Sequence, residues 1–283
     1  MSLSQVVPAI SYEEFLKFRD FFYRKTGIHF EDTKRYFVDK RLIERILATG
    51  NENFRGYFVM LRFEVSGAEL QALINLMTVN ETYFFREEYQ FTCLVNSILE
   101  DIVPRKPRNE PIRIWSVPSS SGEEPYSLAI YLLEHWPRAN DYDIELIASD
   151  IDTVILDKAR QGCYDKRSVQ HLPDALLRKY FTTLLNGQYQ INQDLRDSVE
   201  FTLVNITELT QMRGYRDFDV VFCRNLLIYF DDTSRRIVAE ALFNALRPGG
   251  FICLGHSESM SRITPLFKVR KFPEAIVYQK PLR

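Results

Sequence analysis

At the front of the chain, apolar residues recur at three- and four-residue spacing; further on, short apolar runs alternate with helical stretches. The first pattern predicts a helical module over residues 11–77. Ser11 and Glu14 make a capping box, Phe15, Phe18 and Phe22 follow on one face, and Gly27 stops the helix. A second helix is expected over residues 33–49, with Leu42, Ile43, Ile46 and Leu47 facing a core and Gly50 ending it. Shorter helical patterns follow near 54–63 and 68–77. Residues 78–87 (TVNETYFFRE) break the period. Such a segment can bury its two Phe while pointing Asn80, Thr82 and Arg86 at a cleft, although a capped helix start accounts for the same residues. A helix over 89–102 then leads to the proline- and charge-rich loop 103–111.

From residue 112 strands and helices alternate, the pattern of a doubly wound parallel sheet. Strands are expected at 112–116 and 144–149, with helices opening at 122–124 and spanning 153–161. Residues 163–200 depart from the alternation: a short helix at 173–181 and a hairpin-like pair, 188–191 with 199–203, predict a small inserted subdomain. A strand ends at Asn205-Ile206, and FDVVFCRNLLIYF gives a buried strand whose exit carries Arg224, Asn225 and Tyr229. A helix over 232–246 ends at Pro248-Gly249-Gly250, a strand is expected at 251–259, and 267–270 with 275–279 make a closing antiparallel pair. The fold class is therefore α/β: a Rossmann-like seven-stranded sheet with an N-terminal all-helical domain and a small antiparallel β insertion. The expected boundaries are 1–77 for the helical domain, 78–88 for an interdomain segment and 89–283 for the sheet domain, with the insertion at about 163–200.

Composition narrows the function. With 283 residues, 46% of them hydrophobic, the chain can build a large domain beside a small one. A net charge of −2 gives no general affinity for polyanions, so no nucleic-acid partner is expected. Cys93, Cys163, Cys223 and Cys253 form no CxxC pair, which argues against a disulfide framework or a metal site and for a reducing compartment. Residues 1–10 lack a leader pattern and no apolar run reaches membrane-spanning length; a soluble, cytoplasmic protein without direct membrane insertion is expected.

The chemistry concentrates in RIWSVPSSSGEEPYS, a strand running through a small-residue turn into a helix N-terminus. No Lys follows the turn, so it is not a P-loop. Glu123 and Glu124 suit the helix dipole but would repel a pyrophosphate. An acidic first turn fits a cationic ligand such as S-adenosylmethionine; an ordinary connection with solvated carboxylates fits it too. Asp150, at the tip of the second strand, is placed to accept from ribose hydroxyls, and Asp152 to cap the next helix. Lys34, Arg41 and Arg45 fall in one helical stripe, either a solvated face or a docking surface for an acidic partner. His29, His135, His171 and His256 are dispersed, and no base–nucleophile pair is found.

TVNETYFFRE, SGEEPYSLA, ASDIDTVILDKARQGCY, FCRNLLIYFD and LRPGGFICLGHSES together resemble, in order and over nearly the whole chain, the motif series of CheR-type chemotaxis receptor methyltransferases. The resemblance implies the methyltransferase variant of the seven-stranded sheet. It also implies a protein-glutamate O-methyltransferase that uses S-adenosylmethionine, releases S-adenosylhomocysteine and forms glutamate methyl esters on receptors in sensory adaptation. Matched residue by residue, it implies that Asn80, Thr82 and Arg86 serve cofactor and active site, that Glu124 meets the methionine end and that Asp150 meets the ribose. Asn205 with Ile206 would meet the adenine, Cys223 and Arg224 would line the other side, and Tyr229 would lie beside the reacting carboxylate. Arg86 or Arg224 would steer that carboxylate. Lys34, Arg41 and Arg45 would dock the cytoplasmic helical domain of methyl-accepting chemotaxis receptors, with the enzyme a monomer. One departure stands out: Pro118 occupies a position where the family usually has Gly or Ala. An extended backbone there tolerates proline; a positive φ would not. It supports the alternative of a non-catalytic cofactor-binding or protein-docking regulator. A small-molecule methyltransferase fits less well, because a small substrate needs neither the basic helical module nor the insertion.

Overall fold

A computed structural model describes residues 9–282. The opening residues, expected to carry no leader, lie outside the described residues up to position 8. The chain forms two compact units: one of residues up to Val79 together with Tyr229–Asp231, the other of Asn80–Ile228 and Asp232 onward.

The first unit packs four helices, α1 (Tyr12–Thr26), α2 (Arg35–Ala48), α3 (Phe54–Phe63) and α4 (Ala68–Met77). The capping box forms as expected: Ser11 accepts from the Glu14 amide while the Glu14 carboxylate accepts from the Ser11 amide. Phe15, Phe18 and Phe22 are fully buried. Helix α2 differs from expectation. Asp32–Lys34 is a separate 3-10 turn, and the buried row is Val38, Leu42 and Ile46, steps of four along one face. Ile43 and Leu47 lie one residue round from that row, and Leu47 is exposed. The segment Tyr229–Asp231 joins this unit through a bridge between Ile28 and Phe230 and a Tyr23 hydroxyl that donates to Asp231.

In the second unit α5 (Tyr89–Cys93) and α6 (Leu99–Ile102) are joined by a π-helical turn at Leu94–Ile98. The principal strands are β1 (Ile112–Ser116), β2 (Ile144–Asp150), β6 (Val199–Leu203), β7 (Phe218–Cys223), β8 (Leu246–Leu254), β9 (Lys268–Lys271) and β10 (Ile276–Gln279). They form one seven-stranded sheet in the order β6-β2-β1-β7-β8-β10-β9. The first five strands of that order run parallel, and β10 and β9 close it antiparallel. Every residue of β7 is buried, as a parallel strand covered on both faces requires. Helices α7 (Glu123–His135), α8 (Thr153–Gln161) and α12 (Asp232–Ala245) belong to the crossovers. The small sheet holds β3 (Cys163–Tyr164), β4 (Phe181–Thr183) and β5 (Tyr189–Ile191), with α9 (Lys166–Val169), α10 (Asp174–Tyr180) and α11 (Gln193–Asp197) around it. No described helix is long and apolar enough to cross a membrane.

Two expected pairings are corrected. Tyr189–Ile191 does not form a hairpin with 199–203: helix α11 intervenes, β5 pairs antiparallel with β3 and β4, and β6 runs parallel to β2 in register Leu146 with Val199. The last parallel strand begins before Pro248-Gly249-Gly250 and ends at Leu254 rather than at residue 259. The Pro-Gly-Gly run is a bulge, since Phe218 pairs with Leu246 but Val220 with Phe251. Gly250 permits it, because a Cβ there would meet the Phe218 carbonyl oxygen at 2.9 Å.

Candidate active site at the carboxyl edge of the sheet

Because β2, β1 and β7 are adjacent and parallel, their carboxyl ends open on one edge, where doubly wound sheets bind ligands. Asp150, the turn after Ser116, and Cys223-Arg224 all arrive there. The turn is held tightly. Ser119 donates its amide to the Ser149 carbonyl (2.8 Å), and Asp150 accepts from the amides of Ser120 (2.9 Å) and Asp152 (3.0 Å), one on each carboxylate oxygen. Pro118 is accommodated by a cis Val117–Pro118 peptide; the positive φ angles fall instead at Ser120 (48°) and Gly122 (95°). Burial pushes the Asp150 pKa up to about 6 against the pull of those amides.

Helix α7 starts at Glu123, but its two carboxylates part company. Glu123 is buried and occupied by the hydroxyls of Ser121 (2.6 Å) and Ser168 (3.1 Å). Glu124 accepts from the Ser116 hydroxyl (2.8 Å) and pairs with Arg224 at 2.8 Å. Burial raises the Glu124 pKa while Arg224 opposes it. Arg224 also reaches Glu87 (3.3 Å) and the Arg86 carbonyl (2.5 Å). Expected to steer an incoming carboxylate, it lies buried between two carboxylates of its own chain. Cys223 is likewise fully buried, with its thiol pKa pushed well up by desolvation.

Residues 80–88 are neither helix nor strand. Phe84 and Phe85 are buried, and positive φ at Phe85 (60°) and Glu87 (56°) turns the chain sharply. Asn80 donates to Asp152 (2.9 Å), which also caps α8 by accepting from the Ile155 amide. Thr82 is half-buried nearby in sequence, and Arg86 donates to the Glu81 carbonyl. Beyond β6, the Val204 amide bonds the Asp150 carbonyl (2.9 Å), bringing Asn205 and buried Ile206 to the same edge; the Asn205 side chain accepts from the Thr207 amide and hydroxyl. Tyr229 belongs to the other unit, where its carbonyl accepts from the His29 amide.

Two contributors were not singled out from the sequence. Glu87 supplies the second carboxylate on Arg224. Glu258 accepts from the amides of Gly255 (2.8 Å), Asn225 (2.8 Å) and Leu227 (2.7 Å), fixing the exit of β7 with Asn225 at φ 57°. The only sequence signal for Glu258 was its place in LGHSES.

The three residues of the basic stripe differ in their surroundings. Arg45 is bidentate to buried Glu69 (2.9 and 2.6 Å), which also accepts from the Tyr57 hydroxyl. Arg41 donates to the Leu76 carbonyl (2.6 Å) and stacks on Phe37. Both tie helices of the first unit together. Lys34 lies in the 3-10 turn before α2, with an exposed side chain.

The edge fits a cationic nucleoside. Carboxylates outnumber arginine among its buried groups, and two buried polar atoms, Ser120 Oγ beside the Asp150-bonded amide and Arg224 Nε, have no hydrogen-bond partner among the described residues. A mainly parallel sheet with this edge, an acid at the tip of its second strand and an acid in the first turn of the helix after its first strand are the features expected of an S-adenosylmethionine-dependent methyltransferase. Residues 80–276 match the family of the CheR methyltransferase SAM binding domain, and residues 13–78 its all-alpha domain. The chain is 56% identical over 268 residues to chemotaxis protein methyltransferase 2 of Vibrio cholerae, covering 95% of this chain and 93% of that protein. It is 37% identical to the chemotaxis protein methyltransferase of Salmonella typhimurium, covering 93% and 89%, and 34% identical to that of Escherichia coli, covering 93% and 90%. The chain belongs to the CheR methyltransferase family, and S-adenosylmethionine is its cofactor.

Proposed function

We propose that this chain methylates glutamate side chains of the cytoplasmic helical domain of methyl-accepting chemotaxis receptors, forming methyl esters. The observation that carries the reading is the pairing, at one sheet edge, of a ribose-type acid (Asp150) with the Glu124–Arg224 ion pair in a chain of this family. When bound, S-adenosylmethionine supplies a methyl group on a sulfonium. A glutamate of pKa about 4.3 is already an anion at neutral pH, so this chain has to position it rather than deprotonate it. The absence of a base–nucleophile pair in the sequence agrees with that demand.

Asp150 and Ser120 would hold the ribose, Asn205 and Ile206 the adenine, and Glu124, held by Arg224, the methionine ammonium. Asn80 would act through Asp152, with Thr82 and Arg86 on the same segment. Tyr229 would orient the acceptor oxygen by hydrogen bonding. It follows by two residues Leu227, whose amide Glu258 fixes. With Arg41 and Arg45 engaged inside the first unit, Lys34 is the one of the three with an exposed charge for docking. The test is incubation of the purified protein with methyl-labelled cofactor and receptor-bearing membranes. Base-labile label on receptor glutamates is expected; cofactor binding without label would leave a non-catalytic regulator. Tyr229→Phe should lower turnover about tenfold or more with little change in cofactor affinity, and unchanged turnover would remove Tyr229 from the mechanism.

A further inference from the structure

A cavity of about 380 Å³ lies beside the exit of β7, between Leu227-Ile228, the first turns of α12 and the segment after β8. Its charges sort into those already used and those still free. Asp232 pairs with Arg235 (3.2 Å), and Arg235 also donates to the Leu227 carbonyl (3.0 Å). Glu258 is occupied by the backbone amides of Gly255, Asn225, Leu227 and Ile228. That leaves Arg236 and Arg262, both exposed, whose guanidinium groups make no hydrogen bond or ion pair among the described residues. Leu227, Ile228 and Ile263 supply apolar wall beside them. Two unengaged guanidinium groups over an aliphatic wall match a carboxylate at the end of a short alkyl stem, the form of a glutamate side chain.

We propose that this cavity seats a second acidic side chain of the substrate polypeptide while the acceptor glutamate is methylated. The inference rests on the function proposed above and adds a substrate subsite to it. The location favours a polypeptide over a free anion. Glu258 bonds both the Asn225 and the Leu227 amides, so the cavity wall and the exit of β7 that carries Arg224 are one braced piece. An acceptor side chain delivered to that exit brings its neighbours with it. On a helical acceptor, carboxylates three or four residues away share the face of the acceptor glutamate. Arg236 and Arg262 would therefore select acceptor sites flanked by acids.

The test uses the full chain with labelled cofactor and a receptor cytoplasmic fragment. The double variant Arg236→Ala/Arg262→Ala should raise the KM for the fragment about tenfold, with the cofactor Kd by calorimetry unchanged. With a fragment whose flanking acids are changed to Gln, wild type and double variant should have the same KM. Arg262→Glu should regain affinity for a fragment carrying Lys at the flanking position. A KM within twofold of wild type, or an increase that persists on the fragment lacking flanking acids, overturns the subsite. A wild-type protein that leaves the receptor unmethylated overturns instead the function on which it rests.

Discussion

Asp150 shows how a single side chain can be costly to the fold and still suit the role proposed for it. Its carboxyl is buried and its pKa stands at about 6, above the roughly 3.9 of an unfolded chain. The folded state therefore binds more protons between those values. The contribution of this group to stability is full below about pH 4 and is lost as pH rises through about 6. At neutral pH the ionised form is maintained at a cost that the backbone amides of Asp152, Ser120 and Ile151 only partly offset. Only that form accepts freely from ribose hydroxyls, so cofactor affinity should weaken as pH falls through about 6. Asp150→Asn should bind the cofactor about tenfold more weakly at pH 7.5 and show no inflection near pH 6, both read by calorimetry. Arg224 presents the converse case. Arg224→Met would leave Glu124 and Glu87 facing each other unpaired, and losing one partner of a buried ion pair costs about 3–5 kcal/mol. The melting temperature should drop by roughly 6–15 °C in a scanning experiment.

At the scale of elements, the turn between β1 and α7 is the tightest piece of the site. Gly122 sits at φ 95°, and a Cβ there would lie 3.0 Å from the Tyr126 ring and 3.0 Å from the Tyr164 hydroxyl. Gly122→Ala should destabilise the protein by about 2 kcal/mol or more through both backbone strain and crowding. It should also weaken cofactor binding, because the displaced turn carries the Ser120 amide that Asp150 holds; denaturant unfolding and calorimetry would read the two effects. This turn was legible in the sequence because small residues between an apolar run and Glu-Glu admit few other structures. The capping box at Ser11, the Asp152 cap and the acid at the tip of β2 were legible for the same local reason. What escaped was set by partners distant in sequence. Val199–Leu203 has the composition of either a hairpin arm or an edge strand, and only its parallel register with β2 decides between them. Arg45 looked like a surface charge because Glu69, 24 residues away, is what takes it out of solvent. The burial of Arg224 has the same origin, a partner 100 residues away.

For the molecule as a whole, charge divides by depth rather than by net value. The chain carries only −2 overall, yet its charged groups fall into two sets that should answer differently to salt. Glu124, Asp150 and Arg224 sit in or near the interior and interact with partners at hydrogen-bond distance, so mobile ions screen them little. Lys34, Arg236 and Arg262 stand in solvent, where a Debye length of about 10 Å at 0.1 M shrinks to about 3 Å at 1 M. If, as proposed, the second set recruits an acidic acceptor and the first holds the cofactor, acceptor affinity should fall with salt and cofactor affinity should not. Raising ionic strength from about 0.05 to 0.5 M should therefore increase the KM for a receptor fragment several-fold while the cofactor Kd stays within twofold. Initial-rate assays with each substrate varied separately would show it. A receptor KM that ignores salt would mean that apolar contact, not exposed arginine and lysine, brings the acceptor to the sheet edge. The Arg236→Ala/Arg262→Ala variant should flatten the salt dependence of wild type, since it removes two of the charges that salt screens.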